Sequence, residues 1–549
     1  MDTALELNHV ALLQHQAKHN GDTILLKLPI QRGSEPCREW TTVTVAEFAA
    51  DVDRVAIFLL AQMTARSIPP RSVVTLLYAD ALIQYQDLVY AIALSRASYI
   101  PQMCSDMLTH PEIIFGLMEK ADSKMILYDP SLEHLTKGCP FPKLEFNALK
   151  SIKSCPRRDN SSLPAVEDLP SGSDISFVFL TSGSTSGSPK VVPLTQTVFS
   201  IFYKIQIERW LDGDHFDSQD VFLAPGNFVC HIPSMIQYLG CLYTGSCLVQ
   251  PSKPRFSVEE LSNLVKVCGL NRFTTYGTFL APYIQKAKKD PSILKLLQEM
   301  RTVSYYGVPI SSDDDDWCFE KGIPATNMYG ATEIGLVMST VPGKPARFLR
   351  PEPGVLCRFD PVTDAVIQHD NLGSTTHLVE FILLADSPQI PQPHLRSADG
   401  NLRTGDLFEE QPDGSFRFRG RDDDWIKSFE ADRIDARAIE AKINDTSSDI
   451  VKECVVVGHL RPSPALFVAV RREESGNSTD DEIKETILRR MEDFNARQYV
   501  HERITDKRLV FIVAEGVLPR TKKGNFRRRA TEQKYLEQLD AMYMSVYGY

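Results

Sequence analysis

Thr181-Ser182-Gly183-Ser184-Thr185-Ser186-Gly187-Ser188-Pro189-Lys190 decides how this chain is read. An apolar run, residues 175–180, precedes it and predicts a buried strand, so the glycines fall where the chain leaves a sheet and must turn. Glycine lets backbone N–H groups converge on an anion. The hydroxyls of Thr181, Ser182, Ser184 and Thr185 add donors, and Lys190 adds a compact positive charge. The pattern predicts a nucleotide-phosphate loop that bends at Gly183 and Gly187. A flexible Ser/Gly linker is the plainer alternative. Apolar structure resumes at once in Val191-Val192-Pro193-Leu194-Thr195, which argues against it. The stretch lacks the Gly-Lys-Ser or Gly-Lys-Thr ending of the common phosphate loop.

With 549 residues the chain exceeds what one core usually supports, so two or more domains are expected. Hydrophobic residues make up 43% and no run of eighteen apolar residues occurs, which predicts no membrane insertion. Met1-Asp2-Thr3-Ala4-Leu5-Glu6 lacks the regions of a signal peptide, and a cytoplasmic protein is expected. Eleven scattered cysteines, with no Cys-x-x-Cys, fit reduced buried thiols, Cys241 and Cys247 among them. A net charge of -11 disfavours nucleic acid as a partner. Arg527-Arg528-Arg529 reads as a solvated helix face.

Short apolar segments at 73–77, 124–128, 177–180, 246–249 and 273–275 read as strands, and the longer stretches 45–62, 257–267 and 291–300 as helices. This alternation predicts layered α/β structure. Past about residue 420 the character changes. The charge run Arg419-Gly420-Arg421-Asp422-Asp423-Asp424 reads as a linker to a smaller segment, with strands at 426–428, 451–457 and 508–513 and helices at 436–443 and 481–495.

Four further motifs follow the loop in order: Tyr306-Gly307-Val308-Pro309-Ile310, Tyr329-Gly330-Ala331-Thr332-Glu333, Arg403-Thr404-Gly405-Asp406-Leu407 and Gly420-Arg421-Asp422-Asp423-Asp424-Trp425. Together with the loop they resemble the adenylate-forming superfamily of acyl-CoA synthetases, luciferases and peptide-synthetase adenylation domains, over about residues 40–535. The resemblance implies a large N-terminal AMP-binding domain, 1–422, of layered sheets and helices, and a small mobile α+β domain, 423–549. It implies that Gly307 and Pro309 present flat backbone to adenine beside Tyr329 and Gly330. Thr332 would then meet the α-phosphate, and Glu333 would hold Mg2+, a cation that prefers carboxylate oxygen. Asp406 is implied as the ribose ligand, its two acceptor oxygens suiting a vicinal diol. Arg421 would reach the nucleotide and Asp423 would be the hinge between two reactions. As an isolated pentapeptide, residues 329–333 also suit a helix cap.

The final motif departs from the family. Its usual ending, Pro-Arg-Thr-x-x-Gly-Lys, becomes Pro519-Arg520-Thr521-Lys522-Lys523-Gly524-Asn525, so asparagine stands where a catalytic lysine is expected. Lys523, two residues earlier, is the candidate replacement, and this ending resembles that of fungal stand-alone synthetase-like enzymes; a surface lysine is the alternative. The loop carries one extra residue, Ser186, and Ala431 stands near a usual glycine of the thiol tunnel. The resemblance implies ATP-dependent conversion of a small carboxylic acid to an acyl adenylate, followed by transfer to coenzyme A or a carrier-protein thiol, in secondary metabolism. Asn227-Phe228-Val229-Cys230-His231-Ile232-Pro233-Ser234 lacks the aspartate that pairs with an α-ammonium in amino-acid-activating relatives. An aryl, keto or fatty acid is therefore expected, in a pocket lined by Phe228, His231, Tyr276, Gly277 and Tyr306. An amide-forming ligase and a noncatalytic nucleotide-binding protein are the rivals. No carrier-domain signal follows the small domain, which predicts a free-standing enzyme.

Overall fold

A computed structural model describes residues 8–31, 35–79, 85–105, 108, 110–146, 163–181, 190–213, 220–224, 232–368, 375–421, 425–427, 433–472, 478–496, 502–520 and 526–547. The chain forms two compact units. The first comprises Met1–Cys357 and Leu383–Leu402, the second Arg358–Ile382 and Arg403–Tyr549.

The first unit holds two sheets. One contains β3 (Val73–Tyr78), β4 (Ile100–Ser105), β5 (Ser123–Tyr128), β6 (Lys143–Glu145), β7 (Ile175–Thr181) and β8 (Lys190–Thr195), in the order β6-β5-β3-β4-β7-β8. All its neighbours are parallel except β7 and β8, which pair antiparallel from Ile175↔Thr195 to Thr181↔Lys190. The apolar run therefore does become a strand, with Phe177 and Phe179 fully buried. The second sheet uses β1 (Ile24–Pro29), β2 (Trp40–Thr44), β9 (Val221–Leu223), β10 (Cys247–Val249), β11 (Arg272–Tyr276), β12 (Thr302–Tyr306), β13 (Ala325–Ala331), β14 (Gly335–Thr340) and β15 (Phe348–Pro351). In this unit its order is β15-β14-β13-β12-β11-β9-β10-β1-β2, and β1, β10, β9, β11, β12 and β13 run parallel.

Helices cover these strands where polar punctuation lets them start and stop. Val45–Ala65 begins with a Thr44–Glu47 capping box. Val258–Cys268 is capped by Ser257 and ends at Gly269, whose φ of 74° suits a residue without Cβ. Cys241 and Cys247 are buried as expected, and burial pushes the Cys247 thiol up to about 12.

In the second unit β16 (Cys357–Gln368), β17 (Thr375–Leu383), β18 (Leu402–Glu410) and β19 (Phe416–Arg421) are consecutive neighbours. β20 (Trp425–Lys427) pairs with β21 (Arg433–Asp435). β22 (Val451–Val457), β23 (Ala465–Val470) and β24 (Val510–Val513) form a three-stranded sheet whose core includes Val455, Phe467, Val468 and Val510. Helices Ala436–Ser447, Asp480–Arg490 and Leu536–Tyr547 contribute Ile439, Ile443, Ile487 and Tyr543 to it.

Two expectations need correction. Arg419, Gly420 and Arg421 are the last residues of β19, not linker, because Arg419 is held by Asp435 at 3.1 Å and Arg421 lies in register with Asp406. Arg528 is not on a solvated face: its side chain is 11% exposed, pairs with Glu440 at 2.5 Å and donates to the Val456 carbonyl. The helix expected over 481–495 divides into Asp480–Arg490 and Glu492–Ala496 at Met491.

Candidate active site

The parallel strands β11, β12 and β13 bring three of the sequence motifs to one edge. Tyr276 is level with Tyr306, and Tyr306 with Met328, so Tyr276-Gly277, Tyr306-Gly307 and Tyr329-Gly330 leave neighbouring strands side by side. Ligands of open α/β sheets bind outside such carboxyl ends. Tyr276 meets Tyr306 edge-on, with ring centroids 4.7 Å apart. Burial, and then the neighbouring Tyr276, raise the Tyr306 phenol far above its ordinary value, so it stays neutral.

Glycine is required here by contact. A Cβ on Gly277 would lie 2.0 Å from the Val308 carbonyl oxygen, so the turn after β12 rests directly on the start of helix Gly277–Ala287. Gly307 has φ +81° and is exposed, while its absent Cβ would meet only Tyr276 within 4 Å. That bare backbone, beside half-buried Pro309, gives a flat platform.

Tyr329-Gly330-Ala331-Thr332-Glu333 is the end of β13 and the tip of a hairpin, not a helix cap. Ile334 N–H donates to the Ala331 carbonyl at 3.1 Å, which places Thr332 and Glu333 at the two central turn positions. Gly335 follows with φ +65°, a left-handed backbone that suits a residue without Cβ. Two contacts hold this tip. The Gln389 amide donates to the carbonyls of Ile334 and Leu336, at 2.8 and 3.0 Å. Phe202, on helix Gln196–Gly213, sits beneath Gly335, where a Cβ would approach its ring to 2.6 Å. Thr332 and Glu333 are half-buried.

Lys190 opens β8 and is exposed, with Thr181 opposite it at the end of β7. The two flank the candidate loop, which thus joins antiparallel neighbours. Helix Gln196–Gly213 packs on β7, β8 and β14, so one element supports both this hairpin and the Thr332–Glu333 hairpin. Ser182, Gly183, Ser184, Thr185 and Gly187 lie outside the described residues, as do Phe228, His231, Asp423, Lys523 and Asn525.

Asp406 and Arg421 come together within the second unit. Asp406 is 9% exposed, its Oδ1 lies 3.7 Å from Arg421 Nη1, and Arg421 Nη2 donates to the Thr404 carbonyl at 3.1 Å. Gly405, with φ +68°, turns the strand here, and its N–H donates to Glu380 at 3.2 Å.

Sequence reasoning missed Gln389 and a buried polar group below Tyr276. Thr274 and Ser304 are level with each other, two residues before Tyr276 and Tyr306, and share their face because strand side chains alternate. Gln237 Nε2 lies 3.4 Å from Thr274 Oγ1. All three are under 10% exposed. The one available signal was polar residues inside otherwise apolar runs.

A sequence profile of the family described as AMP-binding enzyme matches residues 13–371, and one described as AMP-binding enzyme C-terminal domain matches 423–546. The AMP-binding domain-containing enzyme iboA of Amanita muscaria is 64% identical over 523 residues, covering 95% of this chain and 100% of that protein. Adenylate-forming reductase Nps11 of Serpula lacrymans is 22% identical over 97% of this chain, which spans only 49% of that protein. Among solved structures, o-succinylbenzoate CoA synthetase of Bacillus subtilis, in complex with its acyl-adenylate intermediate, superposes with a TM-score of 0.70 at 17% identity. That match covers 94% of this chain and 97% of that one, and speaks for the fold.

Proposed function

Because the chain belongs to the AMP-binding enzyme family and is an adenylate-forming enzyme, we propose that the edge formed by β11, β12 and β13 binds ATP and a small carboxylic acid and joins them. One observation carries this: three glycine-bearing strand ends in register, with a threonine and a glutamate on the adjoining turn. A carboxylate oxygen attacks the α-phosphorus, the bond from that phosphorus to its bridging oxygen breaks, and pyrophosphate leaves with the electron pair. Positioning and charge stabilisation provide most of the acceleration.

In this reading Gly307 and Pro309 present backbone to adenine beside Tyr329 and Gly330, Thr332 donates to the α-phosphate, and Asp406 accepts from the ribose diol. Lys190 and the hydroxyls of residues 181–185 hold the departing phosphates, Arg421 contacts the nucleotide, and Lys523 supplies the positive charge that Asn525 cannot. Glu333 fits Mg2+, since that ion commonly takes one or two carboxylates and completes its shell from phosphates and water. Bound there, it neutralises charge across the phosphates. The functional boundary lies at residues 422–423, with Asp423 as hinge, which agrees with the extent of the C-terminal family match.

For substrate, the missing aspartate in 227–234 favours an aryl, keto or fatty acid over an α-amino acid. The buried Gln237–Thr274 pair below Tyr276 favours the keto and ring-substituted members, because a plain alkyl chain offers that pair nothing to bond. The adenylate then passes to a thiol, of coenzyme A or a carrier protein, in a secondary-metabolic setting.

ATP–pyrophosphate exchange across aryl, keto, fatty and amino acids tests this. Exchange with one of the first three classes is expected, followed by thioester when coenzyme A or a carrier protein is supplied. Exchange only with α-amino acids would overturn the substrate assignment, amide formation with no thioester would overturn the acceptor, and ATP binding with no exchange would overturn turnover.

A further inference from the structure

The strands that carry the tyrosines have a second functional-looking end. A cavity of about 760 Å³ opens where β12 and β13 begin, in the size range of small-molecule sites. β12 is five residues long, so this cavity lies roughly 13 Å along the strand from Tyr306, at about 3.3 Å per residue. It is walled by helix Gln196–Gly213, the end of β14, the turn 341–344 and residues 350–353.

Its charge is opposite to that of the molecule. Arg209, Arg301, Lys344 and Arg350 line it against two carboxylates, Glu208 and Glu352, in a chain of net charge -11. Arg209 Nε is 3.9 Å from Glu352 Oε1, beyond hydrogen-bond distance, and the Glu352 side chain is 7% exposed. Arg301 pairs at 3.0 Å with Asp220, which also takes the fully buried Arg272. Lys344 Nζ stands 5.2 Å from the Phe348 ring centroid. Between the cations, Ile205, Ile323 and Phe319 supply apolar wall. Cationic groups around a partly apolar cleft concentrate anions and hold those with a carbon frame.

We infer that this cleft binds a small organic polyanion, a molecule with two or more carboxylate or phosphate groups on a short carbon skeleton. It is separate from the adenylate site and does not depend on which acid is activated. Helix Gln196–Gly213 reaches both places, with Ile205 and Arg209 lining the cleft and Phe202, one turn earlier, under Gly335.

Isothermal titration of the full chain with citrate, and separately with 2,3-bisphosphoglycerate, tests the inference and distinguishes carboxylate from phosphate ligands. Binding of either is expected, weakened about tenfold or more by Arg350→Ala, since a lost charge-assisted hydrogen bond has effects of that order. It is expected to persist in Lys190→Ala. Arg350 is exposed, so its removal leaves the fold intact; Arg209→Ala gives a second reading, and amide exchange slowed by citrate at 341–353 gives a third. No heat with either probe at millimolar concentration would overturn the inference. So would binding unaffected by Arg350→Ala, or binding abolished by Lys190→Ala, which would place the anion in the nucleotide site.

Discussion

The two ends of the β11–β12–β13 array are built from opposite materials. At the carboxyl ends stand tyrosines, glycines and a turn with one threonine and one glutamate, held by backbone contacts as close as Gly330 against Gly335. At the amino ends a fully buried Asp220 binds Arg272 at 2.6 Å, Arg301 at 3.0 Å and Asn271 at 2.9 Å. The end proposed to accept a charged nucleotide has few charges of its own and is shaped by backbone contacts. The amino end fastens β9, β11 and β12 with a buried ion network, whose outer rim faces the cationic cleft.

The largest effect should come from breaking the charged end. Asp220→Ala removes a buried carboxylate from the fully buried Arg272 and should cost about 3–5 kcal/mol in denaturant unfolding, with pyrophosphate exchange per folded molecule unchanged. A parallel fall in exchange would mean the two ends are not separable. Gly330→Ala attacks the other end: its Cβ would sit 2.1 Å from the Gly335 oxygen, so the hairpin must shift, at about 1–3 kcal/mol. Exchange should fall more than stability explains, as a misplaced Thr332 and Glu333 require.

Acid sharpens the contrast by loading neither end. His9 is buried against Phe177, at 4.8 Å between ring centroids, beneath the strand that feeds the candidate loop. Burial lowers its imidazole from 6.5 to about 3. Above pH 6.5 folded and unfolded chains are both neutral there. Below it the unfolded chain takes a proton that the folded one refuses, so stability should drop by about 1.4 kcal/mol per pH unit until near pH 3. Melting temperature against pH should show this slope, and His9→Phe should flatten it. The smallest effect is expected from Gln389→Leu, which frees the carbonyls of Ile334 and Leu336. Gln389 holds the turn that carries Thr332 and Glu333, so kcat of exchange should fall about fivefold while KM for ATP moves less, at a cost near 1 kcal/mol.

Much of this architecture was legible locally. The run before Thr181 is β7 and residues 451–457 are β22 end to end, because apolar runs bounded by turn residues carry their own boundaries. Pairing was not legible. Nothing near Thr332 announces that Gly335 packs on Phe202 or that Gln389 clamps the turn, since those partners lie more than fifty residues away. Arg528 failed for the same reason: a basic triplet looks solvated until Glu440 is folded against it.

The chemistry is proposed at the tyrosine end. Pyrophosphate exchange should be measured on the native chain, Glu333→Gln and Arg350→Ala side by side, with the acid that supports the fastest native exchange. The structure predicts a loss of about 100-fold or more for Glu333→Gln, comparable to removing a transition-state electrostatic contact, and native exchange for Arg350→Ala. Full activity in Glu333→Gln, or a collapse in Arg350→Ala alone, would contradict it.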